Sequence, residues 1–276
     1  MKIAAIQMQS GLDPEANLAA LEPMLAEAAA AGAHYVLTPE VTMIFPENRE
    51  QLRSVAAPFE GHPQLQRVAE LAREHGMFVH IGSLAVPLSD GRFANRSVLF
   101  SPEGEIAATY DKIHLFDATI AGLNAYRESA TYRAGEVAVT AQVGEAKLGF
   151  AICYDMRFPR LFNSLANAGA SLLAVPAAFT VPTGQAHWHV LLRARAIETG
   201  SYVIAAAQGG QHANGRATYG HSIIIDPWGR IVAELEHDRP GVLLADIDLA
   251  RVTDARERIP ALANARDFAP PAALQG

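Results

Sequence analysis

Two stretches of this chain repeat each other, in order. Ala31-Gly32-Ala33 and Ala168-Gly169-Ala170 are each followed by a short apolar run ending in proline, at Pro39 and Pro176, so glycine and proline shift by the same distance along the chain, 32 to 169 and 39 to 176. Farther on, Ser97-Val98-Leu99-Phe100-Ser101-Pro102-Glu103-Gly104-Glu105-Ile106 corresponds to Ser222-Ile223-Ile224-Ile225-Asp226-Pro227-Trp228-Gly229-Arg230-Ile231. Alanine-rich helices and Pro-Gly turns recur by chance when taken singly. Two correspondences in the same order, each displaced by close to half of the 276 residues, point to an internally duplicated fold. Such a chain builds one unit twice and must cover whatever apolar face each unit leaves open.

The repeating unit reads as α/β. Residues 2–8 and 145–152 have the apolar character of strands. A helix is predicted over 14–31, with Asp13 as N-cap, Pro14 in the first turn and Gly32 as the stop. Tyr35-Val36-Leu37 reads as a short buried strand, with Leu172-Leu173-Ala174-Val175 as its counterpart. Helices over 62–75 and 184–199 end at Gly76 and Gly200 and lead into strands near 77–84 and 202–208; the two Pro-Gly hairpins follow. Each half is then a sheet with at least two helices on one face. Packing the halves sheet to sheet predicts a four-layer αββα sandwich, a single domain over 1–258 with a weakly periodic tail at 259–276.

Composition bounds the function. With 50% hydrophobic and 18% charged residues the chain reads as a soluble globular protein. Its formal charge of −7 and pI of about 5.8 give no electrostatic footprint for nucleic acid or an anionic membrane. No apolar run approaches the roughly 20 residues of a membrane span, and the start Met1-Lys2-Ile3-Ala4-Ala5-Ile6-Gln7-Met8 is too short for a signal peptide. The one cysteine excludes an internal disulfide and fits a reducing compartment, so the cytoplasm is expected.

That cysteine, Cys153, follows Leu148-Gly149-Phe150-Ala151-Ile152 at a strand-to-helix turn, where a side chain faces a pocket and the first free N–H groups of the helix point at the same spot. The positive helix end is expected to favour a thiolate. Taken alone, it reads equally as a small core hydrophobe. Glu40 follows Tyr35-Val36-Leu37-Thr38-Pro39, and Lys112 follows Ile106-Ala107-Ala108-Thr109-Tyr110-Asp111. Singly, each is a solvated strand exit. Together, a thiol, a carboxylate and an ammonium beyond the carboxyl ends of strands make a kit for acyl transfer: nucleophile, proton acceptor and oxyanion partner.

The strand-Pro-Glu block, the run Tyr110-Asp111-Lys112-Ile113-His114-Leu115-Phe116-Asp117 and the run Cys153-Tyr154-Asp155-Met156-Arg157-Phe158-Pro159 resemble the three signature blocks of the nitrilase superfamily of carbon–nitrogen hydrolases. The resemblance extends from residue 2 to about 258 and implies the αββα sandwich, self-association as a homodimer or larger homo-oligomer, and no cofactor. It implies Glu40, Lys112 and Cys153 as catalytic residues, Glu128 of Tyr126-Arg127-Glu128-Ser129 as a supporting one, and the Tyr154 backbone N–H as an oxyanion donor. Gly184-Gln185-Ala186-His187-Trp188-His189 and Tyr219-Gly220-His221-Ser222 resemble the Nit subgroup more narrowly. That likeness implies an amidase that cleaves the terminal carboxamide of a small metabolite, deaminated glutathione or a related 2-oxo acid amide, through a thioester with release of ammonia. His187 and Trp188 are implied at the substrate, and Arg157 is a candidate for its carboxylate. The alternatives are an omega-amidase on 2-oxoglutaramate, an N-carbamoyl amino acid hydrolase, or a non-catalytic scaffold.

His187 and His189 point apart on a helix with no cluster to complete a site, so no metal is expected. Arg193 and Arg195 read as helix ion pairs, and Gly209-Gly210-Gln211-His212-Ala213-Asn214-Gly215 as a surface loop without the lysine of a phosphate loop.

Overall fold

The computed structural model describes residues 1–120 and 126–271. Its strands form two six-stranded sheets of the same design. In the first, the order is Gly241–Asp246, Lys2–Gln7, Tyr35–Leu37, Phe78–Pro87, Phe93–Phe100, Ile106–Asp111. In the second it is Thr140–Val143, Ala146–Phe150, Leu172–Ala174, Tyr202–Ala205, Ile223–Ile225, Ile231–Glu234. Each sheet has two parallel pairings at its centre and antiparallel pairings outside them. The duplication read from the sequence is therefore a duplication of topology.

The outermost strand of each sheet is supplied across the sandwich. Thr140–Val143 enters the second sheet after the last strand of the first, and Gly241–Asp246 enters the first sheet after the last strand of the second. Each half thus closes an edge of the other, covering N–H and C=O groups that an edge leaves unpaired.

Side chains alternate between two cores. Ile3, Ala5, Tyr35 and Leu37 face the core shared with Leu148, Phe150 and Leu172 of the second sheet. Ala4, Ile6 and Val36 face the opposite way, against Leu18, Leu21 and Leu25 of the helix Pro14–Ala30 and Val68 and Leu71 of Pro63–His75. Strands covered on both faces need apolar residues at every position, which is why they read as continuous runs without alternation. The second sheet is covered in the same way by Pro159–Asn167 and Val181–Thr199, through Leu161, Phe162, Trp188 and Leu192. Four layers result, helix, sheet, sheet, helix.

Local chemistry sets the helix limits. The Asp13 carboxylate accepts from the Glu15 N–H, and Gly76 and Gly200 end their helices in the left-handed conformation at φ 61° and 56°. Val181–Thr199 starts three residues before its predicted position because Pro182 suits a first turn. The helix Arg49–Val55, capped by Asn48, is too short to show a periodicity in sequence. Residues 265–271 have no regular secondary structure and are exposed.

Candidate active site

The strand Tyr35–Leu37 leaves the sheet through Thr38-Pro39 and delivers Glu40. The exit is tightly held. The Gly82 N–H donates to Thr38 Oγ1 at 2.9 Å, the Val41 N–H to Ser83 Oγ at 3.0 Å, and Gln208 Nε2 to the Glu40 carbonyl at 3.0 Å. Val41 has φ 54°, a left-handed conformation that costs a non-glycine residue about 1–2 kcal/mol and turns the chain sharply behind the carboxylate.

Cys153 is itself such a residue, at φ 48°. It opens a short 3₁₀ turn, Cys153–Arg157, and the α-helix begins only at Pro159. The turn is fixed by the fully buried Asp155, whose carboxylate accepts from the Ile152 N–H at 2.9 Å, the Tyr110 hydroxyl at 2.7 Å and the His114 N–H at 3.0 Å. Tyr110 and His114 flank Lys112, so one carboxylate ties the cysteine turn to the strand that carries the lysine. The Cys153 N–H donates to the Pro176 carbonyl at 2.8 Å, and the Tyr154 N–H donates to no other described residue.

These elements bring Glu40, Lys112, Glu128 and Cys153 together at the floor of one cavity of about 550 Å³. Lys112 is 2% exposed, and its ammonium donates to Glu40 Oε1 at 2.8 Å and to Glu128 Oε1 and Oε2 at 3.0 and 2.9 Å. Those are all the N–H bonds an ammonium has. Glu40 Oε2 accepts from the Ala178 N–H at 3.1 Å, and Glu128 Oε2 from the Phe116 N–H at 2.6 Å. Burial alone would lower the lysine pKa, but the carboxylates of Glu128 and Glu40 outweigh it and hold the pKa well above the ordinary value.

The thiol behaves differently from the sequence expectation. Burial pushes the Cys153 pKa well above the ordinary value, the Glu40 carboxylate pushes it further, and Lys112 offsets only part. A five-residue turn has little dipole to oppose them, so the resting group is a thiol. A carboxylate beside it, a cation within reach and an open N–H on the next residue are the arrangement for proton transfer coupled to sulfur attack on a carbonyl.

Asn95 belongs to the site and is marked by none of the sequence motifs. Its Nδ2 donates to Glu40 Oε1 at 3.0 Å and Glu128 Oε1 at 3.1 Å, so it holds both carboxylates in register around Lys112. The signal for it was a polar residue within an otherwise buried strand, Phe93–Phe100, facing the same end of the sheet as Glu40. Arg157 lines the cavity, with its Nη2 3.2 Å from His187 Nδ1. His187 and Trp188 are not brought to the cavity wall. Trp188 is fully buried, packs on Phe179 and donates from Nε1 to the His221 carbonyl at 2.8 Å; its place is in the core beneath the wall, because it shares the inward face of Val181–Thr199 with Gly184 and Leu192. His187 is exposed and reaches the site only through Arg157. His189 Nε2 meets Glu234 Oε1 at 2.7 Å, and Arg195 donates to the Met156 carbonyl and to Glu198. Among the described residues no group of three His, Cys, Asp or Glu side chains is placed to hold a metal.

Comparisons with known proteins place the chain in a family. The carbon-nitrogen hydrolase pattern matches residues 2–257. The chain is 39% identical over 267 residues to the deaminated glutathione amidase of Yersinia enterocolitica, covering 96% of this chain and 92% of that protein. It superposes on the C. elegans NitFhit protein with a TM-score of 0.90 at 36% identity, over 96% of this chain and 65% of that longer one. It also superposes on an amidase from Nesterenkonia sp. AN1, seen after Michael addition of acrylamide at its active site cysteine, with a TM-score of 0.79 at 28% identity over 94% of this chain and 98% of that one. The αββα sandwich is that of the nitrilase superfamily, and the chain belongs to the carbon-nitrogen hydrolase family, as a hydrolase of carbon–nitrogen bonds other than peptide bonds.

Proposed function

We propose that this protein is a cysteine-dependent amidase acting on deaminated glutathione, and that Cys153, Glu40 and Lys112 carry the reaction. The carrying observation is a buried lysine paired with two carboxylates beside the only cysteine at the floor of the cavity. Glu40 takes the thiol proton as Sγ attacks the amide carbon. Protonation of Glu40 removes half of the charge that engages Lys112, which frees one ammonium N–H to turn to the oxyanion beside the Tyr154 N–H. Glu128, already accepting from Lys112, Asn95 and the Phe116 N–H, keeps the lysine in place through this change. Glu40 returns the proton to the departing amine; water activated by the same carboxylate then cleaves the thioester.

The leaving group distinguishes the candidate substrates. A primary amide such as 2-oxoglutaramate releases ammonia, the outcome read from sequence. Deaminated glutathione has no primary carboxamide: its amide joins a 2-oxoglutaryl group to a cysteinylglycine dipeptide, so the amine released is the dipeptide. Both give the same thioester and the same acid. Production of 2-oxoglutarate, with the amine identified separately, therefore tests the reading. Wild-type protein should turn over deaminated glutathione with higher kcat/KM than 2-oxoglutaramate; the reverse order assigns an omega-amidase, and activity on an N-carbamoyl amino acid alone removes the reading. Cys153→Ala should be folded and inactive, and turnover by that variant would exclude the thioester route.

We also propose a cytoplasmic homodimer or larger assembly. No helix among the described residues is long and apolar enough to cross a membrane. Val190 and Ile197, 68% and 54% exposed on the outer face of Val181–Thr199, support self-association through that layer.

A further inference from the structure

Four arginines line the cavity, Arg49, Arg127, Arg157 and Arg216, and none has a carboxylate partner among the described residues; Arg157 and Arg216 are the two whose guanidinium groups lie over aromatic rings. Neither is loose. The Arg157 guanidinium lies 6.0 Å from the Tyr154 ring centroid and 5.5 Å from that of Phe179; that of Arg216 lies 5.4 Å from Phe45 and 5.7 Å from Tyr126. A cation held against aromatic faces is positioned largely without its N–H groups: Arg157 engages only Nη2, at His187, and the Arg216 guanidinium donates to no described residue, which leaves the forks open to a carboxylate. Glu47 lines the same cavity and pairs with neither.

The two arginines stand on different sides of the chemistry. Arg157 closes the turn that begins with the nucleophile, and its supports Tyr154 and Phe179 flank the cysteine turn and the Ala178 N–H. Arg216 is supported by Phe45, five residues beyond Glu40, and by Tyr126, two before Glu128. It is also close enough to Tyr132 to oppose the rise in that phenol's pKa, which burial and the carboxylates of Glu128 and Glu40 cause. Its side is that of the proton-transferring carboxylates. In an amide cleaved by sulfur attack, the acyl half stays with the cysteine and the amine half leaves toward the proton donor.

From this placement we propose that Arg216 binds a carboxylate carried on the amine half of the substrate, so that the site selects amides whose leaving amine ends in a carboxylate. This rests on the amidase reading above. It accounts for a cavity larger than a short 2-oxo acid amide needs, and it separates the two ends of a substrate with two carboxylates, the acyl-end one going to Arg157.

The test holds the acyl group constant and changes only the amine. Three compounds with the same 2-oxoglutaryl group are compared: deaminated glutathione, its analogue with the terminal carboxylate converted to a carboxamide, and 2-oxoglutaramate. Because all three form the same thioester, differences in kcat/KM arise before it. In the wild type the free carboxylate should raise kcat/KM over the carboxamide analogue by about ten- to a hundredfold, the scale of a charge-assisted hydrogen-bonded pair. Arg216→Gln should bring that ratio close to one, and Arg216→Lys should restore part of it. A ratio unchanged in Arg216→Gln overturns the proposal; so does a fall of the same factor for all three compounds, which is what general disturbance of the hairpin between Gly209–Gln211 and Ala217–Tyr219 would produce. Calorimetry on Cys153→Ala with and without Arg216→Gln reads the same ratio as binding. If the wild type turns over none of the three while Cys153→Ala still binds the free carboxylate in preference to the carboxamide, the amidase reading fails and the arginine site stands.

Discussion

At the scale of single residues the site is a balance of buried charges. Lys112 stays protonated only because Glu40 and Glu128 hold it, and they tolerate each other's proximity only because of Lys112. Lys112→Met should therefore fail twice: turnover falls by several orders of magnitude, and stability falls by about 3 kcal/mol, since two carboxylates are left facing each other in the interior. Urea unfolding beside the kinetics checks both, and a fully stable variant would show that the triad is not electrostatically coupled. Glu40→Gln removes the proton acceptor but keeps a partner for Lys112, so the loss should be mainly in kcat. Because the thiol is held up by burial and by Glu40, alkylation of wild-type Cys153 should show no thiolate plateau across neutral pH; a plateau there would contradict the protonated resting state.

At the scale of elements, the site depends on strands that approach more closely than side chains allow. Gly82 lies where the strand Phe78–Pro87 slips register between Ile81 and Leu84. A Cβ there would come within 2.1 Å of the Thr38 carbonyl oxygen, 2.5 Å of the Pro39 carbonyl oxygen and 2.4 Å of Pro176 Cβ. The first two precede Glu40, and Pro176 accepts from the Cys153 N–H. Gly82→Ala should thus displace the segments that carry Glu40 and Cys153 at once, with stability lowered by about 1–3 kcal/mol and kcat by more than the stability change explains. Near-normal kcat in that variant would show that the exits tolerate such a shift. His80, two residues earlier and fully buried, shares hydrogen bonds with the Tyr35 hydroxyl at 2.6 Å and Ser97 Oγ at 2.5 Å, and burial lowers its pKa to about 3. As pH falls, the unfolded chain protonates first, from about 6.5, so stability should decline by up to about 1.4 kcal/mol per pH unit down to about pH 3. His62 and His212, also pushed down by burial, act in the same direction. Urea midpoints at pH 7, 6 and 5 measure the slope, which His80→Gln should reduce; equal midpoints would refute it.

At the scale of the whole molecule, the outer layer of the second sheet leaves an apolar surface open. Val190 and Ile197 share it with Trp228 and Ile231, 46% and 44% exposed, and Arg193 joins the helix to the Gly229 turn by donating to its carbonyl at 2.8 Å. Sedimentation should give a mass above the 29.5 kDa of one chain, and Val190→Glu with Ile197→Glu should shift it to the monomer. A wild-type monomer at micromolar concentration would remove the proposed assembly.

Legible in the sequence were the layers, the duplication and the strand-end positions of Glu40, Lys112 and Cys153, because burial on both faces, helix caps at Asp13, Gly76 and Gly200, and a charged or thiol group directly after an apolar run are local patterns. The crossing of edge strands between sheets was not legible, since a strand such as Gly241–Asp246 carries no mark of which sheet it will complete. Nor were Asn95 and Asp155, whose roles exist only once distant segments supply Glu40, Glu128, Tyr110 and His114 as partners. Trp188 shows the same limit from the other side: its motif placed it near the substrate, and the packing of its helix turned the ring into the core. The ionisation of Cys153 was decided by tertiary structure for the same reason. A thiol's pKa depends on burial and on charges brought from elsewhere in the chain, and only the assembled site fixes both.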